Sequence, residues 1–114
     1  MEEKKMKMII AIVQDKDSNR LSNLFIESNI RATKLSTTGG FLKSGNTTFM
    51  IGIEEERIEE VLDLIRETSR TRKQFMTPPI NLDASMDSSA AYPVEVQVGG
   101  ATVFVLPIDS FQQF

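Results

Sequence analysis

Met6 to Gln14, MKMIIAIVQ, is a nearly unbroken apolar run rich in β-branched residues. Such a run reads as a strand buried on both faces. Whatever else the chain does, it must cover that strand twice. The following segment, DKDSNRLSNLFIESN, offers one cover. Asp17 or Ser18 can cap a helix there, Leu21, Leu24 and Phe25 share one face, and Asn29 suits a left-handed stop. EEERIEEVLDLIRETSR is the second helix. Its Ile58, Val61, Leu62 and Ile65 repeat at helical spacing. Glu54 to Glu56 stand at its positive end, with Arg66 and Arg70 near its negative end.

RATKLSTT and NTTFMIGI read as the second and third strands, joined by the Gly-rich loop 39–46. After the second helix the periodicity stops. Residues 71–92 carry a Pro-Pro pair and Asp and Ser clusters, and read as a long flexible loop of the kind that serves function. VEVQV and ATVFVLP then alternate cleanly around Gly99-Gly100, a two-residue hairpin signal. The order is strand-helix-strand twice, plus one strand. That predicts an α+β fold: a ferredoxin-like βαββαβ sandwich with an extra C-terminal strand and both helices on one face of an antiparallel sheet. No third helix remains for the other face. A second copy of the chain is its natural cover, so the sequence argues for an oligomer. Residues 6–114 read as one domain, with Met1–Lys5 an N-terminal extension.

Composition narrows the function. With no cysteine and no histidine, the chain lacks thiol catalysis, disulfides, thiolate metal sites and the commonest general base. Its serines have no histidine to activate them, and its acids cluster at a helix start rather than at metal-ligand spacing. The expectation is a non-enzyme with no metal and no cofactor. A net charge of −3 argues against binding nucleic-acid polymers. No segment approaches the roughly 20 apolar residues of a membrane span, and MEEKK is too charged for a secretory signal. A cytoplasmic location is expected.

Against that acidic whole, residues 31–53 hold three cations, Arg31, Lys34 and Lys43, and no acid. Gly39, Gly40, Gly45 and Gly52 let backbone N–H groups converge as an anion nest. Five threonines add hydroxyl donors, and Arg31 can fork onto a phosphate or stack on a base. GGFLKSGN lacks the order of a P-loop and enters no helix. An ordinary hairpin tip would fit the glycines, but Phe41 and Leu42 exposed at a tip need something to pack on, and stacking on a base contributes about 1–3 kcal/mol. Taken alone, Phe104 reads as core, Met6, Met8 and Met50 as gap fillers, and Phe111 and Phe114 as a docking tail.

MKMIIAIVQD, RATKLSTTGGFLKSGNTTFMIGI and YPVEVQVGGATVFVLPIDSFQQF together resemble the PII-like cyclic di-AMP receptor proteins of Gram-positive bacteria, from Met6 to Phe114. The resemblance implies a PII-like homotrimer whose sheets face the centre, with cyclic di-AMP held in clefts between neighbouring subunits. It implies contacts from Asn29, Arg31 and Thr33, from Gly40, Phe41, Leu42 and Asn46, from Gly52, from Gly99, Gly100 and Phe104, and from Gln113. It further implies a signal-transduction receptor that reports the second messenger to a downstream protein partner by reordering its loops. The choice of adenine rests on the resemblance. The residues by themselves also fit a ferredoxin-like regulatory module for ATP or an amino acid, of PII or ACT type.

Overall fold

The structure, a computed structural model, describes residues 5–35, 45–76 and 94–114. The strand expected from the apolar run is β1, Met6–Gln14, and it passes directly into α1, Asp15–Glu27. Strands β2, Thr33–Leu35, and β3, Asn46–Glu54, follow. A single 3₁₀ turn, Glu55–Arg57, leads into α2, Ile58–Ser69. The chain closes with β4, Arg72–Met76, β5, Val94–Val98, and β6, Ala101–Pro107. Four strands form one antiparallel sheet in the order β2-β3-β1-β6. The strand with the most apolar sequence thus takes a central position, flanked by β3 and β6.

The register divides the sheet into two unlike faces. Ile9, Ala11 and Val13 of β1 and Phe49, Ile51 and Ile53 of β3 are all buried. They pack in one cluster with Leu21 and Phe25 of α1 and Val61 and Ile65 of α2. Burying such side chains stabilises by about 1.5–3 kcal/mol each. Phe25 meets Phe49 edge to face with centroids 5.5 Å apart, a preferred aromatic geometry. The opposite face carries Met8, Ile10 and Ile12, with Met50 beside Ile10 and Leu106 and Phe104 beside Met8 and Ile10. No helix of the described chain covers it, as the helix count predicted. Phe104 is therefore not core: it is 50% exposed on an edge strand.

Three local expectations are corrected. First, neither Asp17 nor Ser18 caps α1. The helix starts at Asp15 after an extended Gln14, and the Asp15 N–H, which has no intrahelical partner, donates to the Gly45 carbonyl at 2.9 Å. Ser18 instead donates to the Asp15 carbonyl, and Asp17 forms an ion pair with Arg72. Second, VEVQV and ATVFVLP are not a hairpin. β5 pairs with β4, and β6 pairs with β1. Gly99 (φ +81) and Gly100 (φ +105) form the corner between the two sheets. Two left-handed glycines serve a tight hairpin or such a corner equally well. Third, the stretch read as loop from residue 71 opens with a strand. β4 and β5 make a separate two-stranded ribbon. The two strands beyond the ferredoxin-like set are therefore this ribbon, while the C-terminal β6 completes the main sheet.

The expected stop at Asn29 is observed. Its φ is +58. Its N–H reaches the Ile26 carbonyl and that of Ile30 reaches the Phe25 carbonyl, the paired bonds of a Schellman motif.

Candidate functional site

Most of the described residues singled out in the sequence fall into two groups, one by β2 and one leading into β6. At the β2 edge, Asn29 and Arg31 lead into β2, and Gly52 lies on β3 beside them. These three line a cavity of about 260 Å³ together with Met6, Glu54 and Arg57. Gly52 is exposed, and a Cβ built on it would meet nothing within 4 Å, so the missing side chain leaves open floor rather than relieving a clash. Thr33, two residues beyond Arg31, pairs with Met50 on β3 and is exposed at the sheet edge.

The two arginines of this cavity differ. Arg57 is held: its guanidinium binds both Glu60 oxygens at 3.0 and 3.1 Å and donates to the Ser28 carbonyl at 2.9 Å. Hydrogen bonding to Glu60 raises the Arg57 pKa, and the same pair lowers that of Glu60. Through Ser28, Arg57 steadies the last turn of α1 just before Asn29. Arg31 is exposed and has no ion pair among the described residues. It is the free cation of this cavity, suited to an anion or to an aromatic face.

At the other end of the sheet, Asn46 pairs with Gln14. The Gln14 Oε1 accepts the Gly99 N–H at 2.8 Å, and the Gly100 N–H donates to the Ser69 carbonyl at 2.6 Å. Asn46, Gly99 and Gly100 are thereby drawn together. Phe104 lies on β6, opposite Ile10. It shares a row across the sheet with Met50 and Thr33, three strand spacings or roughly 14 Å from Thr33. Gln113 is in the exposed tail. Phe111 and Phe114 there are exposed too, so neither ring is buried against the described residues, although Phe111 borders a cavity beside Lys5 to Lys7. A larger cavity of about 870 Å³ between the tail and Lys5 to Lys7 holds none of the sequence-predicted residues. Gly40, Phe41 and Leu42 lie outside the described residues.

The described chain therefore gathers two partial groups at separate places: Asn29, Arg31, Thr33 and Gly52 at one edge, and Gly99, Gly100 and Phe104 leading into the other. Sequence reasoning missed Arg57 and Gln14. A helix-start arginine followed three residues on by Glu was a readable sign of the Arg57 pair. Gln14 ends an apolar run and gave no local sign of a partner at Gly99. Among the described residues, no group of three or more His, Cys, Asp or Glu could hold a metal ion. Among them, too, no helix is long and apolar enough to cross a membrane.

Residues 6–114 match a family described as cyclic-di-AMP receptor. The chain belongs to that family. A crystal structure of a functionally unknown protein from Pediococcus pentosaceus is 61% identical, with a TM-score of 0.79, covering 98% of this chain and all of that one. The crystal structure of Arabidopsis thaliana PII bound to citrate superposes with a TM-score of 0.56 at 19% identity, over 93% of this chain and 77% of that one. At that identity the likeness is one of fold, and the fold is PII-like. Family membership accords with the resemblance read from the motifs. It identifies the chain as a member of a signalling-receptor family.

Proposed function

We propose that the chain is a cytoplasmic, non-enzymatic receptor that binds cyclic di-AMP in clefts between the subunits of a homotrimer. It reports the bound messenger to a downstream protein partner by reordering its loops. The observation that carries this reading is the split of the candidate residues between two sheet edges. Asn29, Arg31, Thr33 and Gly52 stand by β2, and Phe104 stands on β6 at the opposite edge. The cavity by Gly52, about 260 Å³, is smaller than the roughly 300–1,000 Å³ usual for sites that bury a small ligand. A ring of copies would bring the β6 edge of one chain to the β2 edge of the next and complete the cleft. It would also cover the apolar face of Met8, Ile10, Ile12 and Met50, which no helix among the described residues covers.

The chemistry of the two groups suits a cyclic dinucleotide. Arg31 supplies an exposed cation, without an ion pair among the described residues, for a phosphate or a base face. The bare surface of Gly52 admits a flat ring against the strand. Phe104 offers an exposed ring for stacking. Asn29 and Asn46 offer amides to base edges. Phe41, Leu42, Gly40 and Gln113 complete the contact set expected for this family.

The test is a calorimetric titration with cyclic di-AMP beside cyclic di-GMP and ATP, on protein whose mass in solution is measured in parallel. Saturable binding of one cyclic di-AMP per chain to a trimer, with much weaker binding of the others, is the expected result. Arg31→Ala should weaken it by about 1–3 kcal/mol. Preference for ATP would replace this reading with a PII-type nucleotide sensor. Tight binding to a monomer would overturn the shared cleft.

A further inference from the structure

Asn46 and the Gly99-Gly100 corner are far apart in sequence, and one residue joins them, by its backbone to Asn46 and by its side chain to Gly99. Gln14 is the last residue of β1, opposite Asn46 in the register, and its Oε1 accepts the Gly99 N–H at 2.8 Å. We propose that Gln14 is a positioning residue for the ligand cleft, holding the Gly99-Gly100 corner against the Asn46 end of β3. This rests on the receptor reading above.

The surrounding contacts favour that role. Gly99 sits at φ +81, and its conformation is set by what its N–H and its neighbours bond to. Three residues after Gln14, the buried Asp17 accepts Arg72 Nη2 at 2.7 Å. Arg72 is the register partner of Val98, the residue before Gly99, and its Nη1 also donates to the Arg70 carbonyl. Both strands of the ribbon are therefore tied at their root to the β1–α1 junction. The same junction holds the end of the Gly-rich loop: the Asp15 N–H donates to the Gly45 carbonyl, and the Thr47 hydroxyl donates to Asp15 Oδ1. Residues 14–17 thus fix two segments that carry proposed contacts, one on each side of Gln14. A glutamine suits the place because it accepts the Gly99 N–H without bringing a negative charge beside an anionic ligand.

Two variants separate positioning from packing. Gln14→Met keeps the length of the side chain and removes the acceptor; Gln14→Glu keeps an acceptor oxygen and adds a charge that high salt screens. Amide hydrogen exchange at Gly99 is read in the ligand-free full-length protein, and cyclic di-AMP affinity is read in high salt. Exchange at Gly99 should speed up in Gln14→Met and stay near wild type in Gln14→Glu. Affinity should fall about three- to tenfold in Gln14→Met, the equivalent of one hydrogen bond, and return to within about twofold in Gln14→Glu. Equal Gly99 exchange in all three proteins overturns the proposal, as does wild-type affinity in Gln14→Met or no recovery in Gln14→Glu. A wild-type protein that does not bind cyclic di-AMP would sink the receptor reading instead, and the Gly99 exchange would still decide whether Gln14 holds the corner.

Discussion

Replacing Gly99 with alanine tests the corner directly. At φ +81 a side chain is strained whatever the space around it, at a cost of about 1–2 kcal/mol. Space is also lacking. The new Cβ would lie 2.5 Å from the Arg70 carbonyl oxygen and 2.6 Å from Arg72 Nη1. The guanidinium can swing away, but the carbonyl is backbone and can only move with the chain. It also receives the Arg72 hydrogen bond at 3.1 Å. Overpacking of this kind adds about 1–3 kcal/mol, for a total of about 2–5 kcal/mol. Gly45 supplies the control. Its φ is +88, yet a Cβ there meets none of the described residues within 4 Å, so Gly45→Ala should lose only the conformational part, about 1–2 kcal/mol. Urea unfolding of both variants at one protein concentration measures the difference, because stability falls linearly with denaturant and association makes midpoints concentration-dependent. Gly99→Ala should unfold at distinctly lower urea than Gly45→Ala. Matching midpoints would mean that the close approach of Arg70 carries no weight in the folded state.

Gly52→Ala should behave in the opposite way. Its Cβ enters open space in a strand, so stability should hold or rise by about 0.5–1 kcal/mol, while cyclic di-AMP affinity should drop at least tenfold as the methyl lifts a ring off the strand. Unchanged calorimetric affinity would remove Gly52 from the site. Arg72→Ala should destabilise by about 1–3 kcal/mol, because it leaves the buried Asp17 carboxylate without its cation. The Asp17→Ala, Arg72→Ala double variant should lose less than the two single losses added together, and strict additivity in thermal melts would show that the pair is not coupled.

The sequence revealed the elements that local pattern dictates. The apolar run marked β1 at its observed bounds, Met6–Gln14. Asn29 showed the end of α1 because few residues tolerate the left-handed turn there. The bare sheet face followed from having two helices and a strand apolar on both sides. Pairing between distant strands was less legible. Gly99-Gly100 looked like a hairpin because its conformational demand is local, whereas the choice of β4 as the partner of β5 is not. RKQFM has no clean apolar alternation to announce a strand, and the pairing with Val94–Val98 draws it into one. At the candidate cavity, Arg31 stood out by its charge; Gly52 was read as part of an anion nest with Gly45, but β3 sets the two at opposite ends of an extended strand. Gln14 was not legible, since a polar residue closing a strand looks solvated until the corner that it holds is in view.

The pinch at the foot of the ribbon bears on how this protein can change length. The Gly100 N–H meets the Ser69 carbonyl at 2.6 Å, so the chain is back at Gly100 where it stood at Ser69. Closing such an excursion costs entropy that grows only with the logarithm of its length, about 0.6 kcal/mol for each doubling. An insertion or deletion beyond β4 would therefore leave the register of the four-stranded sheet untouched.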